Sequence, residues 1–192
     1  MSGLSWRKIV RALTGATGAL QTEDRRVLET IVFAHYAALA EVRTVLFVGC
    51  EFYTQHYERY FAAHNYWTLD PNLDCRRFGA KQHVVGRLEQ LRRHFAAEYF
   101  DLIICNGVYG WGLDRTEDCE AALHECHACL AIGGHLVFGW NDIPPYDPAP
   151  LACITAFSSF AEYSVPGLGP QYLTATAYRH TYRFLQKPAG PP

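Results

Sequence analysis

Residues 44–70 read TVLFVGCEFYTQHYERYFAAHNYWTLD, and this stretch decides the fold. Thr44 to Val48 is an apolar, β-branched run of the kind that forms a buried strand, and it stops at Gly49. A helical stretch near Gln55 to Ala63 follows. A second strand, Tyr66 to Leu69, then ends on Asp70. The acid falls 21 residues after the glycine. In nucleotide-binding α/β units an acid about 20 residues past the first glycine holds the ribose hydroxyls. A carboxylate suits a vicinal diol because it accepts two hydrogen bonds at once.

Outward from this unit, strands and helices alternate. Upstream, Glu23 to Ala40 carries Val27, Leu28, Ile31, Val32, Ala38 and Leu39 at helical spacing, with Thr22 placed to cap the start. Downstream, a short third strand at Gln82 to Val85 leads into a basic stretch, Leu88 to Ala97. A fourth strand is read at Asp101 to Cys105, a helix at Glu117 to Leu130, and a fifth strand at His135 to Trp140. Ile132-Gly133-Gly134 reads as the C-terminal stop of that helix. This order predicts a doubly wound α/β fold, a parallel sheet with helices on both faces. After a helix near Leu151 to Phe160, two strands at Glu162 to Val165 and His180 to Gln186 predict an antiparallel ending, for seven strands in all. The expected organisation is an N-terminal helical cap or arm over 1–43, a core over 44–187 and a frayed tail over 188–192.

A chain of 192 residues with 49% hydrophobic and 19% charged residues is globular rather than disordered. A formal net charge of −2 offers no electrostatic case for a nucleic-acid partner. No apolar run approaches the roughly 18 residues of a membrane span. Seven cysteines, an odd number with Cys105 inside an apolar strand, read as reduced thiols and point to the cytoplasm. Oligomeric state is left open.

VLFVGC, YWTLD, YFDLIICNGVYGW and GGHLVFGWND, in this order and spacing, resemble the class I S-adenosylmethionine-dependent methyltransferases. HTYRFLQKP resembles that family's terminal strand. The resemblance covers about residues 44–187 and implies a Rossmann-like sheet, S-adenosylmethionine as cofactor and S-adenosylhomocysteine as product. It implies that Gly49, Cys50 and Glu51 meet the methionine part of the cofactor, and that Asp70 and Pro71 lie at the ribose. It further implies Gly86 and Arg87 near adenine, and Asn106 and Gly107 at the amino-acid end. The chain departs from the family in three places. Phe47 stands where an acid is usual, Glu51 and Tyr53 where further glycines are usual, and Gly86 where an acid often holds the adenine amino group.

Methyl transfer requires alignment of an acceptor lone pair with the methyl–sulfur bond, and a base where the acceptor carries a proton. Candidates belong at the carboxyl ends of the strands. Tyr109 and Trp111 sit in the Gly-rich loop after strand four, where they either wall an acceptor pocket or pack on the following helix. Asn141 and Asp142 end strand five, with Asp142 read as a base or as a turn acid. His56 follows the cofactor loop as a further catalytic candidate. The Asn106-Gly-Val-Tyr loop is not the Asp/Asn-Pro-Pro-Tyr/Phe motif of enzymes that methylate amino groups of nucleic acids. His124, Cys126, His127 and Cys129 are metal-like residues, but on one helix they point to different faces, so no metal is expected.

The expectation is a methyltransferase acting on a small molecule, sugar or metabolite, with no nucleic-acid partner and no membrane span. The alternatives are an NAD(P)-dependent oxidoreductase on a similar sheet, which lacks its Gly-x-Gly-x-x-Gly here, and a non-catalytic methyltransferase-like binding protein.

Overall fold

Strands β1 (Thr44–Val48), β2 (Asn65–Asp70), β3 (Gln82–Val85), β4 (Phe100–Asn106) and β5 (Leu130–Asn141) run parallel. Three more, β6 (Ala161–Glu162), β7 (Gln171–Leu173) and β8 (His180–Gln186), close the sheet antiparallel. These come from a computed structural model that describes residues 22–144 and 151–190. The order is β3-β2-β1-β4-β5-β8-β6, with β7 also on β8. Strand order reverses between β1 and β4, and ligands of open α/β sheets bind beyond the carboxyl ends of strands at such a point.

Alternation along each strand divides the core into two layers. Leu46, Val48, Ile103, Cys105, Leu136 and Phe138 face the helix α3 (Thr116–Cys129). That helix buries Cys119, Ala122, Leu123, Cys126 and Cys129 as its apolar stripe, so these cysteines act as small hydrophobic groups. His124 is exposed and His127 packs against Phe160, away from that stripe. Among the described residues no group of three or more metal-ligating side chains converges. Val45, Phe47, Leu102, Ile104, Val137, Tyr182 and Phe184 face the other way. They are covered by α1 (Glu23–Val27), a π-helical turn at Leu28–Val32 and α2 (Phe33–Ala38), which run on continuously.

Several local expectations are corrected. Among the described residues the sheet has the expected seven-strand path and a short additional strand, β7, from the Pro/Gly-rich segment before β8. The stretches near 55–63 and 151–160 are 3-10 turns, not α-helices, at Tyr57–Phe61, Leu151–Cys153 and Thr155–Ser159. Extended backbone at Ile154 separates the last two, and Glu120 accepts hydrogen bonds from the Thr155 and Ala156 amides at the start of the second. Ile132-Gly133-Gly134 is not a helix stop. The helix ends at Cys129, and the glycines form an irregular stretch of β5 where the pairing with β4 shifts between Phe100 and Leu102. Thr22 is extended at the N-cap position, but its hydroxyl makes no capping bond. Among the described residues no helix is long and apolar enough to cross a membrane.

Candidate active site

Gly49 turns the chain out of β1 at φ +85°, a left-handed conformation that glycine adopts without strain. A side chain there would also meet Val108 at 3.1 Å. Asp70 pins this turn. Its carboxylate accepts from the Cys50 amide at 2.7 Å and from the Asn72 amide at 2.8 Å. The next turn is held by Thr54, whose hydroxyl pairs with the Glu51 amide and carbonyl at 3.0 and 2.9 Å. Side-chain bonds thus shape a loop in which glycines are few.

Beyond β3, Gly86 hydrogen-bonds through its amide to the Asp70 carbonyl at 3.1 Å. A Cβ at Gly86 would lie 2.5 Å from His94, so this glycine makes room for that imidazole. Arg87 pairs with Glu89, and Leu88 between them is buried. Glu89 supplies an acid three residues after Gly86, the position where sequence reading found none.

At the ends of β4, β5 and β8 three buried side chains interlock. His180 contacts Asn141 Oδ1 through Nδ1 at 2.7 Å and Asn106 Oδ1 through Nε2 at 2.9 Å. Burial pushes the His180 pKa down to about 4, so the ring is neutral and has one N–H. It cannot donate to two amide oxygens. The Asn106 Nδ2 is the buried donor without a partner. Turning that amide over lets Nδ2 donate to His180 Nε2, while Nδ1–H serves Asn141. Gly139 permits this packing, since a Cβ there would lie 2.0 Å from Asn106 Oδ1 and 3.0 Å from His180 Nε2.

The N-terminal helix contributes two more charged residues. Asp24 accepts from the Tyr178 hydroxyl at 2.5 Å, and its backbone carbonyl from Tyr182 at 2.8 Å. Desolvation raises the Asp24 pKa, but Arg25, His180 and its hydrogen bonds outweigh that and hold it below the usual value. Arg25 donates to Tyr57 at 3.0 Å and lies 4.7 Å above the Tyr53 ring.

One cavity of 330 Å³ joins these parts, within the usual size range of small-ligand sites. Gly49, Cys50, Glu51, Asp70, Pro71, Gly86, Arg87, Asn106, Gly107, Trp111 and Asn141, all singled out in the sequence, line it. Tyr109, Asp142 and His56, also singled out in the sequence, do not line it. Tyr109 is fully buried and packs toward Phe138 at 6.0 Å. Asp142 follows Asn141 on β5, where neighbouring side chains alternate in direction, and it pairs with exposed Arg179 at 3.3 Å. His56 pairs with Glu29 at 3.2 Å among Tyr57 and Tyr60, outside the cavity. Sequence reading missed Asp24, Arg25, Tyr178 and His180. One signal was present: β8 runs antiparallel, so the residues that open it must lie at the carboxyl ends of the parallel strands.

A pH dependence follows from the buried imidazoles. His135 is likewise pushed down to about 4 by burial. Both rings are neutral when folded, while the unfolded chain takes up protons below about 6.5. Stability is therefore held above pH 7 and lost as pH falls from about 6.5 towards 4. At pH 5 each imidazole should cost about 2 kcal/mol relative to pH 7.5. Urea unfolding at the two pH values checks this, and equal midpoints would refute it.

Residues 46–138 match the family model described as a methyltransferase domain. No curated protein sequence matches the chain. Among solved structures, the N-methyltransferase NodS from Bradyrhizobium japonicum WM9, in complex with S-adenosyl-L-homocysteine, is 19% identical with a TM-score of 0.65, covering 95% of this chain and 98% of that one. A SAM-dependent methyltransferase from Archaeoglobus fulgidus is 12% identical with a TM-score of 0.62, covering 96% and 100%. The 1,6-didemethyltoxoflavin-N1-methyltransferase of Burkholderia thailandensis is 14% identical with a TM-score of 0.55, covering 98% and 92%. Residues 46–138 thus match a methyltransferase domain, and the strand order agrees with the sheet expected of class I S-adenosylmethionine-dependent methyltransferases.

Proposed function

We propose that the chain methylates a small-molecule acceptor bound in the same cavity as the cofactor. The observation that carries this reading is the continuity of the cavity from Asp70 and Glu89, past Asn106 and Gly107, to Trp111, Asn141, Tyr178 and His180. S-adenosylmethionine supplies an electrophilic methyl group when bound. The chain's residues fit it. Each Asp70 oxygen has spent one lone-pair site on a backbone amide, which leaves one per oxygen for a ribose hydroxyl. Gly49, Cys50 and Glu51 border the methionine part, and Pro71 the ribose. Gly86 and Arg87, together with Leu88 and Glu89, border adenine. Asn106 and Gly107 border the amino-acid end.

The acceptor end is walled by Trp111 and offers polar groups at Asn141, Tyr178 and His180. The acceptor in one similar protein's name, 1,6-didemethyltoxoflavin, is a small molecule and supports this reading. Trp111, a large exposed aromatic at the cavity rim, supplies an apolar face for such a ligand.

Incubation with methyl-labelled S-adenosylmethionine and a panel of small amines, phenols and acids tests the reading. Label transferred to one class supports it. No transfer to any class, with the cofactor bound, would favour a binding protein without turnover. Asp142→Asn is expected to keep turnover within about twofold of the parent, because an exposed ion pair contributes little. A hundredfold loss in that variant would return Asp142 to the reaction.

A further inference from the structure

Asn141 carries a hydrogen-bond donor that its neighbours turn toward the cavity. The residue is buried at the end of β5 and lines the cavity. Its Oδ1 is taken by His180 Nδ1 at 2.7 Å. Its Nδ2 makes no hydrogen bond among the described residues, yet it is not one of the buried donors shut off from solvent. It therefore opens onto the cavity. His180 decides which end of the amide faces out. Its ring is neutral, with one N–H and one lone pair. The orphaned Asn106 Nδ2 claims the lone pair at Nε2, so the proton stands on Nδ1. That N–H needs an oxygen, which fixes Asn141 Oδ1 inward and Nδ2 outward. The other polar groups here are engaged. Both His180 nitrogens are bonded, and Tyr178 gives its proton to Asp24.

Asn141 stands apart from the residues that border the cofactor. β1 and β4 lie between Asp70 on β2 and Asn141 on β5, so about 14 Å of sheet separates the two. Asn106 ends β4 opposite Gly139, and Asn141 lies further along β5 than that partner. The His180 ring fills the space between the two amides. A site built to donate a hydrogen bond rejects an analogue that cannot accept it, because the donor is then left unpaired. Trp111 at the rim adds a flat apolar face. We propose that Asn141 selects the methyl acceptor by donating from Nδ2 to a carbonyl oxygen or ring nitrogen of that molecule, and that His180 is the positioning residue that holds the donor outward. The proposal rests on the reading of the cavity as the shared cofactor and acceptor site.

The test uses the full chain, first with isotope-labelled histidine nitrogens in a magnetic-resonance measurement. The His180 signals are identified by their loss in His180→Gln. They should report the Nδ1–H tautomer at neutral pH. The Nε2–H tautomer would turn the Asn141 amide over and overturn the proposal. Asn141→Asp keeps an oxygen for Nδ1–H and removes the donor. Asn141→Ser removes the amide, and it serves alone if the Asp variant shows no cooperative thermal transition. S-adenosylhomocysteine should bind the variants within about threefold of the parent. A larger loss would place the amide at the cofactor and overturn the proposal. Three flat rings are then titrated into the S-adenosylhomocysteine complexes: carbostyril with a carbonyl oxygen, quinoline with a ring nitrogen, and indole with neither. Carbostyril or quinoline should bind the parent complex at least about tenfold more tightly than indole, and the variants should lose that advantage. Equal or absent binding of all three, or an advantage that the variants keep, overturns the proposal. Failure of the parent to bind S-adenosylhomocysteine at all would instead count against the proposed function.

Discussion

Asp70→Ala should weaken S-adenosylhomocysteine binding by about 10- to 100-fold, the equivalent of 1.5–3 kcal/mol for bonds to a charged group. Two effects act together. The variant removes the acceptor for a diol, and it releases the Cys50 and Asn72 amides that the carboxylate now holds at 2.7 and 2.8 Å. The second effect loosens the Gly49 turn, so part of the loss is positional. Asp70→Asn separates the two. Its amide keeps one acceptor oxygen and turns a donor toward one of the two backbone N–H groups, so an intermediate affinity is expected. Calorimetric titration of both variants measures this. Parental affinity in Asp70→Ala would reduce the acid to a turn residue.

Among the described glycines, Gly139→Ala should be one of the most damaging single methyl additions. The added Cβ would lie 2.0 Å from Asn106 Oδ1 and 3.0 Å from His180 Nε2. Neither neighbour is free to move. Asn106, Asn141 and His180 are all buried, and each is hydrogen-bonded within the cluster. Driving Asn106 away leaves buried polar groups without partners, at about 1–3 kcal/mol each. The melting temperature should fall by about 10 °C for a chain of this size, and methyl transfer should be lost with it. Gly190→Ala is the control, since no atom lies within 4 Å of its added Cβ. A Gly139→Ala protein that melts with the parent would show that the interlock does not hold the site.

The cofactor half of the site was legible because its determinants are local. A buried strand, a glycine, a second strand and an acid follow one another within residues 44–70, and each step has a strong local signature. β1, β3 and β8 took the bounds expected for them, since each is a short β-rich run closed by polar or Gly residues. The end of the cavity proposed for the acceptor was not legible, because it is assembled from distant segments. Tyr178 meets Asp24 across 154 residues, and His180 meets Asn106 across 74. No periodicity encodes such pairs.

Two residues lie away from the cavity expected for them, each for a geometric reason. Tyr109 stood in a Gly-rich loop, where an aromatic suggests a binding wall. The loop instead folds back on itself, with the Trp111 and Leu113 amides both bonded to the Val108 carbonyl, and Tyr109 turns into the core. Asp142 was the acid nearest the end of β5. The strand runs one residue further than expected, so Asn141 takes the inward position and Asp142 turns away to Arg179.

A calorimetric titration of the parent chain tests the account at its centre, with S-adenosylhomocysteine, S-adenosylmethionine and NAD as ligands. The account predicts one saturable site for S-adenosylhomocysteine, shared competitively with S-adenosylmethionine, and no heat from NAD. Saturable heat from NAD alone would contradict it.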